Sequence, residues 1–162
     1  MCQLHPLQPR PEELFSATPL LWQILRACPN VKVVISSSWR TTRNLAELRY
    51  LVTAGGGEDL AERIIGVTPF ISRDPDDHNR CREIEILQWL GANETLWHIS
   101  ARPVRWLVLD DLAYWFSIPC WSLYLVDYRT GLLPADVPRV IARCRLLNFA
   151  PFRLSAASQL SQ

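Results

Sequence analysis

The sequence predicts an α/β domain: a Rossmann-like parallel sheet with helices on both faces. Three observations lead there. Short apolar runs, several rich in β-branched residues, alternate with stretches of helical periodicity from about residue 18 to residue 147. The runs are too short to be helices, and each stops at serines or aspartates. Hydrophobic residues make up 49% of the 162, enough to fill one core.

The elements follow in order. Residues 1–17 hold His5, Pro6, Pro9 and Pro11 and read as a loop. Thr18 followed by Pro19 has the form of an N-cap with proline at the first helical position. Leu20, Leu21, Ile24 and Leu25 continue at helical spacing until Pro29. Val31 to Ile35 is a β-branched run that reads as a buried strand ending in Ser36-Ser37-Ser38-Trp39-Arg40. A second helix runs from about Asn44 to Val52 and breaks at Gly55, Gly56 and Gly57. Glu58 to Arg63 is a short helix leading into the apolar stretch Ile64 to Pro69, and residues 70–79 are a polar loop. Arg80 to Leu90 is helical, with Ile84, Leu87 and Trp89 or Leu90 facing inward and Gly91 as its C-cap. Val104 to Leu109 is a strand ending in Asp110-Asp111, and Leu123 to Val126 is another ending at Asp127. Ala135 to Leu147 is the last helix. One domain spans residues 1–150, and 151–162 read as a disordered tail.

Composition narrows the function. The net charge is +1, so no polybasic nucleic-acid surface is signalled. Sixteen of the seventeen basic residues are arginine, Lys32 being the exception, a bias that fits base composition as well as phosphate binding. The five cysteines are scattered, with no spacing suited to zinc. No apolar run approaches the roughly 20 residues of a membrane span, and no signal-peptide pattern is present. The chain reads as cytoplasmic and reducing.

In an open parallel sheet, ligands bind beyond the carboxyl ends of the strands. The serines after the first strand suit an anion, because hydroxyls donate to it and lead into a helix N-terminus. The adjacent carboxylates Asp110 and Asp111 suit a hard cation such as Mg²⁺. Singly, each is more often a turn. Together, with the Arg80–Leu90 helix just before the Asp-Asp strand, they make a phosphate–Mg²⁺ site.

These stretches resemble the haloacid-dehalogenase-like superfamily of Asp-based phosphohydrolases. Val33 to Arg40 resembles its second motif, Arg80 to Ile84 its third, and Trp106 to Asp111 its fourth. Ile65 to Pro69 and Asp127 to Leu132 are similar to a compact bacterial branch sometimes linked to RNA repair. The resemblance implies an aspartyl-phosphate mechanism with Mg²⁺. Ser36 or Ser37 would bind the phosphoryl group; Arg82, or else Arg80, would neutralise it; Asp110 with Asp111 would ligate Mg²⁺. Arg40 would bind substrate or cap locally, and His5 would lie near the site. The partner would be a phosphorylated small molecule or a nucleic-acid end. Leu4-His5-Pro6 matches the end of the first motif, which puts the nucleophilic aspartate and the central strand ahead of Met1. The chain as it stands is then expected to be inactive, through a late start codon or a truncation. The alternative is a non-catalytic remnant that binds a phosphorylated ligand or a partner.

Overall fold

A computed structural model describes residues 15–71, 80–96 and 105–149. Its helices are α1 (Thr18–Ala27), α2 (Leu45–Thr53), α3 (Cys81–Ala92) and α4 (Val137–Phe149). Its strands are β1 (Val33–Ile35), β2 (Ile64–Val67), β3 (Val108–Asp110) and β4 (Leu123–Leu125). The fold is the expected mixture of helices and parallel strands. The tail from residue 151 and the residues around His5, His78 and His98 lie outside the described part.

β1 pairs with β2 and β3 with β4, both parallel. Among the described residues these are two separate two-stranded sheets. The division falls between β1 and β3, where the resemblance implies a further strand. Packing nonetheless unites the halves. Leu20, Ile24 and Ala27 of α1 share one core cluster with Val31 ahead of β1, Leu107 and Leu109 at β3, and Val126, Val140 and Cys144. Alternation along β3 explains the layering, because successive side chains point to opposite faces. Leu107 and Leu109 meet α1 and α4, whereas Val108 packs with Cys81 and Ile86 of α3. Asp110 shares the parity of Val108 and so belongs to the α3 face.

Local chemistry fixes the boundaries. α2 begins with a full capping box: Asn44 Oδ1 accepts from Glu47 N–H at 2.9 Å, and Glu47 Oε2 accepts from Asn44 N–H at 2.8 Å. α1 differs from expectation. Its N-cap is Ala17, and Thr18 lies inside the helix, where its hydroxyl donates to Phe15 O at 2.8 Å. α3 runs past Gly91 to a C-cap at Asn93, because Asn93 donates from its amide side chain to Trp89 O and closes the helix there. The Glu58–Arg63 segment is a 3₁₀ helix. Ile64–Val67, not assigned to a strand by its sequence, becomes one by pairing with β1, with a register shift between Val33 and Val34. Gly66 sits at that irregularity against Trp89: a Cβ there would lie 2.9 Å from the indole.

Strands of three or four residues leave carbonyls beyond their own ladders, and arginines take up many of them. Arg63 donates to Leu25 O at 2.6 Å and to Val31 O at 2.9 Å, and also reaches Cys28 O, closing the C-terminal end of α1. Arg49 donates to Ile64 O at 2.7 Å, Arg105 to Leu147 O at 3.0 Å and Arg143 to Leu123 O at 2.5 Å. The guanidinium fork suits this, with five donors and no acceptor. Much of the arginine bias is therefore structural.

Candidate functional site at the strand ends

Beyond Ile35 the chain leaves β1 as Ser36 and Ser37, both buried, and enters a 3₁₀ turn at Ser38–Thr41. The turn delivers Arg40 back beneath the strand ends. Its side chain is 2% exposed. Nε donates to Thr68 O at 3.0 Å; Nη1 donates to Ser36 O and to Ser37 O at 2.9 Å; Nη2 donates to Pro69 O at 3.3 Å and to Glu85 Oε2 at 2.5 Å. All five N–H groups are engaged within the protein. Arg40 is thus a brace that ties the exits of β1 and β2 to α3.

α3 turns a charged face inward. Ile84 and Leu87 are 41% and 46% exposed, while Arg82, Glu83, Glu85 and Trp89 are buried. This reverses the sequence expectation for Ile84 and Leu87. The N-terminal half of α3 faces the strand ends, where Asp110 and the Arg40 brace demand charged partners. Arg82 Nη1 lies 3.7 Å from Glu85 Oε2, and Arg82 Nε lies 3.8 Å from Asp110 Oδ2. The Arg82 guanidinium also sits 4.7 Å from the centre of the Trp115 ring, a cation–π contact. Charges therefore alternate along one buried line: Arg40, Glu85, Arg82, Asp110. That line joins the serine loop of one sheet half to the acidic strand end of the other.

Arg80 is placed differently. Its side chain is 49% exposed and pairs with Glu83 at 3.0 Å. Glu83 faces Ser117, accepting from its N–H at 2.8 Å and its hydroxyl at 2.9 Å. Burial pushes the Glu83 carboxyl up, but the Ser117 donors and Arg80 outweigh it and hold it below the usual range. Asp110 Oδ1 accepts from Leu112 N–H at 3.0 Å. Asp111, 9% exposed, has its carboxyl pushed up by burial, and the adjacent Asp110 charge adds to this. Asp127 is occupied in a turn, accepting from Arg129 N–H at 2.7 Å. Trp115 and Phe116 are core residues beside Val108. Two hydroxyl oxygens, Ser37 Oγ and Thr68 Oγ1, are buried without a hydrogen-bond partner among the described residues. His5 falls outside them.

The structure thus brings together Ser36, Ser37, Arg40, Arg82, Asp110 and, next to it, Asp111. Two participants were not singled out in the sequence. Glu85 carried a usable signal, its i+3 spacing from Arg82 on one helix face. Thr68 became visible only once β2 was paired.

A buried arginine between a serine loop and an aspartate pair, at the ends of parallel strands, defines a phosphatase-type domain of the haloacid-dehalogenase-like class. More particularly, the chain belongs to the family described as the HAD domain in Swiss Army Knife RNA repair proteins, matched over residues 3–137. No curated protein and no solved structure matches it. Among the described residues no helix is long and apolar enough to cross a membrane.

Proposed function

We propose that this domain is a Mg²⁺-dependent phosphoryl-transfer site that, in these 162 residues, holds a phosphate ester without hydrolysing it. The observation that carries the reading is Arg82. It is 1% exposed and stands between the acidic strand end and, through Glu85 and Arg40, the serine loop. A buried guanidinium there would meet the equatorial oxygens of a phosphoryl group, where charge gathers during transfer. The Ser36 or Ser37 hydroxyl would donate to the same group.

The donor set fits Mg²⁺. Two oxygen ligands from Asp110 and Asp111 are enough for an ion that keeps waters and substrate phosphates in its shell. The raised Asp111 carboxyl marks a place where a cation would favour ionisation. Among the described residues no group of three or more His, Cys, Asp or Glu forms a fuller cage. When bound, the ion would supply charge neutralisation of the phosphate oxygens.

No described carboxylate suits the nucleophile's part. Glu85 is committed to the ion line, and Asp110 and Asp111 are assigned to the metal. The aspartate that the family resemblance assigns to attack is not among the described residues. We propose a phosphorylated nucleic-acid end as substrate, consistent with the RNA-repair description of the family. The exposed Tyr114 and Trp121, on the segment after Asp111, offer aromatic faces to a base.

Calorimetry with 5′- and 3′-phosphorylated RNA oligonucleotides and with inorganic phosphate, each with and without Mg²⁺, tests this. Mg²⁺-dependent binding without phosphate release is the expected result. Absence of any Mg²⁺-dependent binding refutes the reading, and release of phosphate by this chain refutes the nucleophile assignment.

A further inference from the structure

We infer that Thr68 is a further ligand-binding residue of this site: its hydroxyl and that of Ser37 form a pair of donors for the oxygens of the bound phosphate. The inference rests on the reading of the strand ends as a phosphate site. Three threonines among the described residues are buried: Thr18, Thr53 and Thr68. The first two use their hydroxyls locally. Thr18 donates to Phe15 O at 2.8 Å and Thr53 to Arg49 O at 2.7 Å. The Thr68 hydroxyl has no such use; at 4% exposure it has no partner among the described residues. Ser37 departs from habit in the same way. It is the N-cap of the turn Ser38–Thr41, where a serine oxygen ordinarily accepts from a main-chain N–H, yet it makes no such bond. Its Oγ is likewise buried and unpartnered among the described residues.

The main chain brings the two residues to neighbouring strand ends and fixes them there. Thr68 N–H donates to Ile35 O at 3.0 Å, so the β1–β2 ladder runs on to the edge of the serine loop. Arg40 then holds both residues by their carbonyls, Thr68 O at 3.0 Å and Ser37 O at 2.9 Å. With N–H and carbonyl engaged, Thr68 has only its hydroxyl left to offer. Alternation along β2 puts Thr68 on the side of Gly66, which faces Trp89 of α3. Asp110 belongs to the α3 side as well. Pro69 follows directly; it lacks an N–H and confines Thr68 to extended backbone. β-Branching restricts the Thr68 side chain further. The outcome is two fixed, uncharged donors beyond the carboxyl ends of paired parallel strands, where ligands bind. A buried hydroxyl without a partner costs stability that a ligand oxygen would return. A phosphate oxygen suits the pair, because it accepts only and its charge strengthens the O–H bond.

Calorimetric titration of inorganic phosphate in the presence of Mg²⁺, with Thr68→Val and Thr68→Ser beside the unsubstituted chain, tests the inference. Valine keeps the shape and removes the hydroxyl. Thr68→Val should bind phosphate about 10–100-fold more weakly, the usual weight of a hydrogen bond to a charged group. Its Tm without phosphate should be unchanged or higher, because the hydroxyl removed supports nothing in the described fold. Thr68→Ser should keep most of the affinity. Unchanged affinity in Thr68→Val overturns the inference and leaves the phosphate site itself standing. Should Thr68→Val lose stability, the Thr68 methyl resonance of the unsubstituted chain decides. A shift on adding phosphate, with the methyl of Thr53 unmoved, supports the inference, and no shift overturns it. If the unsubstituted chain binds no phosphate even with Mg²⁺, the proposed function falls and this inference with it.

Discussion

Replacing Arg40 with methionine should be among the most damaging single changes in this domain. Methionine keeps the unbranched stem and removes the charge and all five donors. Glu85, fully buried, loses its 2.5 Å partner. Breaking a buried ion pair by deleting one member costs about 3–5 kcal/mol. The carbonyls of Ser36, Ser37, Thr68 and Pro69 lose their shared donor as well. With a net of about 1 kcal/mol per hydrogen bond, and some regained from water, the loss comes to about 4–7 kcal/mol. That is a large part of the ~5–15 kcal/mol that holds a typical domain together. Urea unfolding followed by tryptophan fluorescence is the assay. With a slope of about 2 kcal/mol per molar, the midpoint should fall by about 2–3.5 M. Arg139→Met is the control, since that side chain is 70% exposed and should change stability by no more than about 0.5 kcal/mol. A loss below about 1 kcal/mol in Arg40→Met would show that the brace does not hold the strand ends.

Further outcomes follow from other contacts. Glu83 has a depressed carboxyl pKa, so the stability it contributes is present above its unfolded value and is lost as pH falls through the folded one. Ser117→Ala should cost about 1.5–3 kcal/mol near neutrality. The gap to the unsubstituted chain should close below the ordinary value of 4.5, and a gap independent of pH would refute the assignment. Gly66→Val should force Trp89 aside and cost about 1–3 kcal/mol, lowering Tm by about 2–4 °C per kcal/mol. An unchanged Tm by calorimetry would sink the close-approach argument. Burial, with the neighbouring Cys28 thiol, pushes the Cys144 thiol up to about 11. At pH 8 about one in a thousand should be thiolate. Alkylation read by mass spectrometry should mark half-buried Cys120 well before Cys144, and the reverse order would contradict the packing of α4 on α1.

Much of this fold could be read from local pattern. The run Val31 to Ile35 declares a strand by β-branching, and Asn44 with Glu47 declares a helix start by its capping box. The strand end at Asp110 was legible for the same reason, an apolar run stopping at acids. The inward face of α3 was not. Periodicity ranks Ile84 and Leu87 as core, but a helix buries whatever its neighbours require. Opposite its first turns stand a carboxylate and a second arginine rather than apolar side chains. Glu85 is not legible in the sequence, because an acid between apolar residues reads as solvated until its partner, 45 residues earlier in the chain at Arg40, stands beside it. β2 is not legible in the sequence because Gly66 and Pro69 dilute its pattern, and its identity comes from pairing with β1 rather than from propensity.

The arginine clamp at the end of α1 bears on how the chain assembles. Arg63 closes that helix from 32 to 38 positions downstream. At ten residues, α1 is shorter than the roughly 12–15 needed for an isolated helix to persist in water. The first half of the chain is therefore not a row of units that mature one after another. Helix α1 stays incomplete until the 3₁₀ segment at Glu58–Arg63 has come round to meet it. Loop closure over some thirty residues precedes the reward, which favours a single cooperative event over stepwise growth. A fragment ending before Arg63 should leave α1 largely unformed, and in a growing chain α1 would become stable only after that residue had emerged.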